Sequence, residues 1–495
     1  MTAAAQKPQH TGRSRATDRI LRGRLATEVA RFGVPLAIGM GLQTTFNLVD
    51  AYLVSRIGGR VGNAAMGAIA PCDNLAAVGT ILAYGLSVAS GTMISHAHGK
   101  GDEQAVRRIA WQSTLLILFI SGIFAVSGVV GARWLLEDVT GTKGLVTDVG
   151  VPYLQVMMGG GGTMFLLLHL ITIQRALGSS KTPITMLVVA NAANLLLAAV
   201  LVYGPGEAPT AFGWAPELAE RLGIPRLELL GAGWATVLAR ALVLVPTFWI
   251  AFRRHHLFGA SSREKPDSKV LSKIWNIGWP TSSQMVVRIV GIMVVIKAAN
   301  EGYTTADNQD VGTALSVVLR WETMALFVGL GWGSASQTFL GQNLGAGAEQ
   351  RAKASGWYAT AYNAAMMTAF ALLCLFAGEQ LVAFFTPTPG VVAIGVEYFQ
   401  WVAPSYVGLG IGIVLGSAIQ GAGATRLTFL IDSAGVVLLQ IPLCLVVAMV
   451  IKGPVSQLWQ SVALVYYLLA VVYLVVYHRG AFLRETSNVP EVRPS

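Results

Sequence analysis

Charge is scarce in this chain of 495 residues: Asp, Glu, Lys and Arg together make up 12% of it. A soluble domain carries roughly 25%, so a conventional water-facing surface is excluded for most of the length. Acids are scarcer than bases, 25 against 35, which leaves a formal net charge of +10. Cysteine is nearly absent. Cys72, Cys374 and Cys444 stand singly in apolar stretches, with neither zinc spacing nor an even count, and read as small hydrophobes. The seven histidines show no metal-ligand spacing, and the serines sit in no nucleophile elbow. Gly159 to Gly162 lack the strand and lysine of a phosphate loop. No ATP-binding motif is present, so ATP-driven work is not expected, and any pumping would have to use an ion gradient. No enzymatic activity, cofactor or nucleic-acid partner is expected. Residues 1–25 are polar and basic without an apolar core, so no cleaved leader is predicted.

What is present is hydrophobicity: 54% of residues, in runs of about 20 or more, the length that crosses a bilayer. Twelve spans are predicted, near 31–56, 64–96, 106–136, 148–175, 181–204, 231–253, 274–299, 311–342, 352–378, 390–422, 426–451 and 457–478. Lys and Arg favour the cytoplasmic side. With the N-terminus inside, 24 of them fall on that side, Arg175 among them, and 7 on the other. Both termini are therefore expected in the cytoplasm, in a multi-pass protein of the plasma (inner) membrane.

The chain also repeats. GKGDEQAVRR at 99–108 matches GAGAEQRAK at 345–353, VPYLQVMMGG at 151–160 matches VEYFQWVAPS at 396–405, and IQRALGSSKTP at 173–183 matches IQGAGATRLT at 419–428. The offset stays at 245 to 246 residues. Six spans plus six of constant sign give parallel repeats about an axis along the membrane normal. The expected fold is all-α, with a tail at 1–28, one lobe at 29–252, a basic linker at 253–272, a second lobe at 273–479 and a tail at 480–495. Gly159 and Pro404 occupy matching repeat positions and predict bends.

Polar residues inside the spans are the candidates for function, because a charge near the bilayer centre costs roughly 2.5–3.5 kcal/mol on insertion scales. Gln43, Asn47 and Asp50, spaced four and three, share one face of the first span. Asp73 and Tyr84, with Thr80 and Ser87, form a stripe on the second. Gln284 and Arg288 lie one turn apart in the seventh span, and Arg320 and Glu322 lie in the eighth. Glu322 is the natural partner for Arg288 or Arg320, and otherwise a fixed guanidinium lines a cavity and disfavours plain organic cations.

The repeated blocks, with LQTTFNLVDAYLVSRIG in the first span, SHAHGKGDEQAVRR, QRALGSSKTP, LGAGWATVLA and FLGQNLGAG, resemble the multidrug and toxic compound extrusion (MATE) family from about residue 29 to 480. The resemblance implies a twelve-helix exporter of small organic molecules, monomeric among membrane lipids, driven by protons or sodium ions, with substrate bound between the lobes by alternating access. Asp50 matches the family's first-span coupling acid. Asn191 and Asn194 match the fifth-span asparagines, but the acid expected four residues later is Ala198. Where some members carry a seventh-span glutamate, Arg288 stands. With so few oxygen ligands for sodium, protons are the expected coupling ion. The alternatives are a lipid-linked saccharide flippase of the same superfamily and a transport-inactive membrane scaffold or sensor.

Overall fold

The computed structural model describes residues 15–255, 257–258, 265–305 and 308–483. Twelve helices within them are long and apolar enough to cross a membrane. A short helix, Arg15–Arg22, precedes them. Spans 1 to 6 are Leu25–Ser55, Gly59–Lys100, Glu103–Trp134, Leu145–Ala176, Lys181–Tyr203 and Glu228–His255. Spans 7 to 12 are Ser268–Tyr303, Asp310–Gly345, Glu349–Phe376, Pro389–Gly421, Thr425–Ile451 and Val455–Arg479. Most run past the ends that hydropathy sets, because a helix keeps its backbone bonds satisfied beyond the apolar slab. Side chains such as Val130, Phe376 and Leu438 remain exposed on the outer surface, as expected where lipid is the solvent. The three cysteines are buried and unpaired.

The two halves share the same local turns at matching places. Span 2 ends with Gly101 N donating to His98 O and Asp102 N to Ala97 O, and span 8 repeats this with Gly347 to Leu344 and Ala348 to Asn343. Span 4 closes with Gly178 to Arg175 and Ser179 to Gln174, mirrored after span 10 by Gly423 to Gln420 and Ala424 to Ile419. These four glycines all have positive φ, a conformation that costs glycine little. Spans 4 and 10 both break in the middle. Leu145–Gly159 and Gly161–Ala176 meet at Gly160, while Pro389–Val402 and Tyr406–Gly421 are joined by a 3₁₀ turn at Ala403–Ser405. The bends fall where Gly159 and Pro404 predict them.

Spans 2 and 8 cross at the ends that carry Gly99 and Gly345. A β-carbon on Gly99 would come 2.1 Å from the Gln342 carbonyl oxygen, and one on Gly345 would come 2.1 Å from the His96 carbonyl oxygen. His96 and Gln342 occupy the same place in the two repeats, so one close approach is the twofold image of the other. Around this crossing His96 Nε2 donates to Gly421 O at 2.8 Å, and Gln342 Nε2 donates to Ala176 O at 2.7 Å. Gln337 adds bonds to Val88 O and Thr92 Oγ1. Among the described residues, hydrogen bonds from span 2 to the second half begin at Leu82 and continue toward Gly99, with none from 59–80. The halves are thus clasped at one end.

Gly99→Ala combined with Gly345→Ala should prise this end apart. The expected result is a longer distance between spin labels at the exposed Lys100 and Arg426, measured by pulsed electron resonance. An unchanged distance would mean that the clasp does not depend on the glycines.

Candidate functional site

The first half holds a partly open cavity between spans 1, 4, 5 and 6, about 880 Å³ of empty space including the part that opens to solvent. Its wall is apolar along Leu36, Met40 and Leu167, and polar at Arg175, Asn191, Asn194 and Arg240. Asn194 is buried and its Oδ1 accepts from Thr236 Oγ1 at 3.2 Å. Span 1 passes through Gln43, Asn47 and Asp50 as continuous helix, and the side chains of these three lie outside the described residues. Asp73 is exposed on span 2, accepts from the Tyr153 hydroxyl at 2.9 Å and lies within electrostatic reach of Arg240.

Two smaller clefts, of about 330 and 340 Å³, lie between the halves. Tyr84 lines both. One brings it to Gln284, Arg288, Ser417 and Gln420 of the second half. The other brings it to Thr172 and Arg175 of the first half and to Ser334 and Gln337 of the second. Tyr84 stands in the field of two guanidiniums, Arg175 and Arg288.

Arg288 has a different partner from the one the sequence suggests. Its Nη2 and Nε each lie 2.6 Å from Asp432 Oδ2. Asp432 is buried, and it also accepts from Gln284 Nε2 at 2.7 Å and from the Tyr473 hydroxyl at 2.7 Å. Gln420 Nε2 donates to Gln284 Oε1 at 2.7 Å and extends the network to span 10. Asp432 sits two turns into span 11, facing span 7. A charge this costly needs an opposite charge nearby, and that requirement, applied to every acid on a neighbouring span, is the signal that finds it.

Arg320 and Glu322 are not brought together. Residues two apart point to different sides of a helix. Arg320 is exposed, with its guanidinium 5.4 Å from the Phe385 ring centre. Glu322 is buried in the core of the second half, where Tyr398 and Tyr466 donate their hydroxyls to its two oxygens. An ion pair of Glu322 with either arginine is therefore corrected by the geometry. Arg175 was counted with the loop charges. It lies instead in the last turn of span 4 and is buried, 8% exposed.

Twelve helices long and apolar enough to span a bilayer and two half-molecules clasped at one end define a multi-pass membrane transporter of the twofold, parallel-repeat type. The chain matches the MatE family over residues 35–200 and 309–446, and it belongs to that family of transporters. It is 24% identical over 406 residues to the probable multidrug resistance protein YpnP of Bacillus subtilis, covering 81% of this chain and 84% of that one. It is 22% identical over 469 residues to a FAD transporter of Shewanella oneidensis, covering 90% and 95%. A crystal structure of a MATE P26A mutant superposes with a TM-score of 0.84 at 16% identity, over 95% of this chain and all of the other.

Proposed function

We propose that the chain is a secondary active exporter that moves small organic molecules by alternating access and is coupled to protons through Asp50. The observation that carries this reading is the one-ended clasp. Hydrogen bonds between the halves gather toward Gly99 and Gly345, and among the described residues none reaches the second half from 59–80 of span 2. Two rigid six-helix bodies joined at one end can rock about it, which is the motion that exposes a central site to alternate sides. The excess of Lys and Arg assigns the clasped end, the linker and both termini to the cytoplasm. This conformation is then the outward-facing one.

Asn191 and Asn194 serve as polar neighbours of the coupling acid, and sodium is the alternative ion. Proteoliposomes carrying an imposed proton or sodium gradient test the reading directly. Suitable probes are ethidium, after the multidrug relatives, and a flavin nucleotide, after the FAD transporter. Accumulation of at least one of the two probes, driven by the proton gradient, is expected. Movement that persists when both gradients are collapsed would overturn it.

Topology is a separate test. Cysteines introduced at Ser261 and Ser262, which lie outside the described residues, should react in sealed cells with permeant reagents and be protected from impermeant ones. Labelling from outside would reverse the orientation.

A further inference from the structure

We infer that Arg175 is the anchor for an anionic group on the transported molecule, so that the substrates are amphipathic organic anions bearing a phosphate. The inference rests on the transporter reading above and names its substrate class.

Arg175 is more than nine-tenths buried and lines both the large first-half cavity and the cleft between the halves. Its two terminal nitrogens donate to neutral oxygens, Nη1 to Ser334 Oγ at 3.0 Å and Nη2 to Thr172 Oγ1 at 3.0 Å. Its Nε has no hydrogen-bond partner. Among the described residues no carboxylate pairs with it, and none lines either of its cavities. The contrast with Arg288 is direct, because that guanidinium is neutralised by a buried Asp432.

A guanidinium cannot shed its proton, and its burial without a counter-ion is costly. A bound anion removes that cost. Tyr84 lines the cleft together with Arg175, and the Asn191 and Asn194 amides and the Arg240 guanidinium line the large cavity with it. A phosphate, with its several acceptor oxygens, matches a lining that offers arginines and amides and, among the described residues, no carboxylate better than any cation does. The apolar wall of Leu36, Met40 and Leu167 then takes the uncharged body of the molecule. Ser334 belongs to the second half, so an anion that competes for Nη1 also loosens a bond between the halves. Binding and rocking are linked through one side chain.

The test is equilibrium binding to the purified full-length protein in nanodiscs without any gradient, comparing riboflavin with its phosphate ester, FMN. The two share a ring and differ in the phosphate. FMN should bind roughly 10-fold to 100-fold more tightly, the worth of one charge-assisted contact. Arg175→Gln, which installs the side chain that the other repeat carries at Gln420, should erase the difference, and Arg175→Lys should keep part of it.

Nanodiscs of phosphatidylglycerol and of phosphatidylcholine separate the two sources of a phosphate. Thermal stabilisation by phosphatidylglycerol that needs Arg175, without an FMN preference, assigns the site to a lipid headgroup. Equal binding of FMN and riboflavin with no such lipid effect overturns the inference, as does an FMN preference that survives in a folded Arg175→Gln protein. The wild-type comparison decides the matter even if that variant fails to fold. Because no gradient is used, a negative result leaves the exporter reading standing.

Discussion

Asp50→Asn should reduce proton-driven transport in proteoliposomes to the level of empty vesicles while leaving the protein folded and monodisperse. Asparagine keeps the shape of the side chain and its capacity to hydrogen-bond, but it cannot bind and release a proton. A low-dielectric setting disfavours a charged carboxylate, so an acid in a span is suited to carry a proton from one face to the other. The fifth span has no second acid to stand in, since the position four residues after Asn194 is Ala198, and Asp73 on span 2 is already held by the Tyr153 hydroxyl. Glu322 is the competing candidate. It is buried between two tyrosine hydroxyls, with no cation partner among the described residues. Measuring Glu322→Gln beside Asp50→Asn separates the two acids. Full gradient-driven transport in Asp50→Asn would remove Asp50 from the mechanism.

Asp432→Ala should be the most destabilising single change in the second half. The substitution leaves Arg288 without a counter-ion and strips Gln284 and Tyr473 of their acceptor. Orphaning one member of a buried pair costs about 3–5 kcal/mol. Thermal unfolding in detergent reads the loss as a fall in Tm. Adding Arg288→Met to Asp432→Ala should recover most of it, because an apolar pair of similar volume has no stranded charge. Arg320→Ala, by contrast, removes an exposed stacking contact and should cost about 1 kcal/mol or less. Equal Tm values for wild type and Asp432→Ala would show that water reaches Arg288 and screens it.

The span count was legible because the bilayer sets a length that hydropathy measures directly. The duplication was legible because turns need particular residues. The glycines at 101 and 347 take positive φ in both halves, and the motifs around them survived as text. Side-chain partnerships were not legible. Asp432 is 144 positions away from Arg288, and no local spacing links spans 7 and 11. Glu322 was drawn to arginine by its neighbour Arg320, although residues two apart on a helix diverge. Arg175 was hidden by its company: the polar run QRALGSSKTP reads as a loop, and the last turn of a helix differs from a loop by the burial that only packing supplies.

The clasp between spans 2 and 8 has a consequence for why two repeats share one chain. In a dimer of identical halves, each residue on the axis meets its own copy, so any charge placed there is doubled and opposed to itself. Here the backbone obeys the twofold while the side chains do not. His96 faces the place of Gln342, and the arginine at 175 answers to the glutamine at 420. Fusing the halves has let one copy keep a cation while the other became neutral. The result is two halves whose buried arginines differ: Arg288 is neutralised by Asp432, while Arg175 donates to the hydroxyls of Ser334 and Thr172 and meets no carboxylate among the described residues.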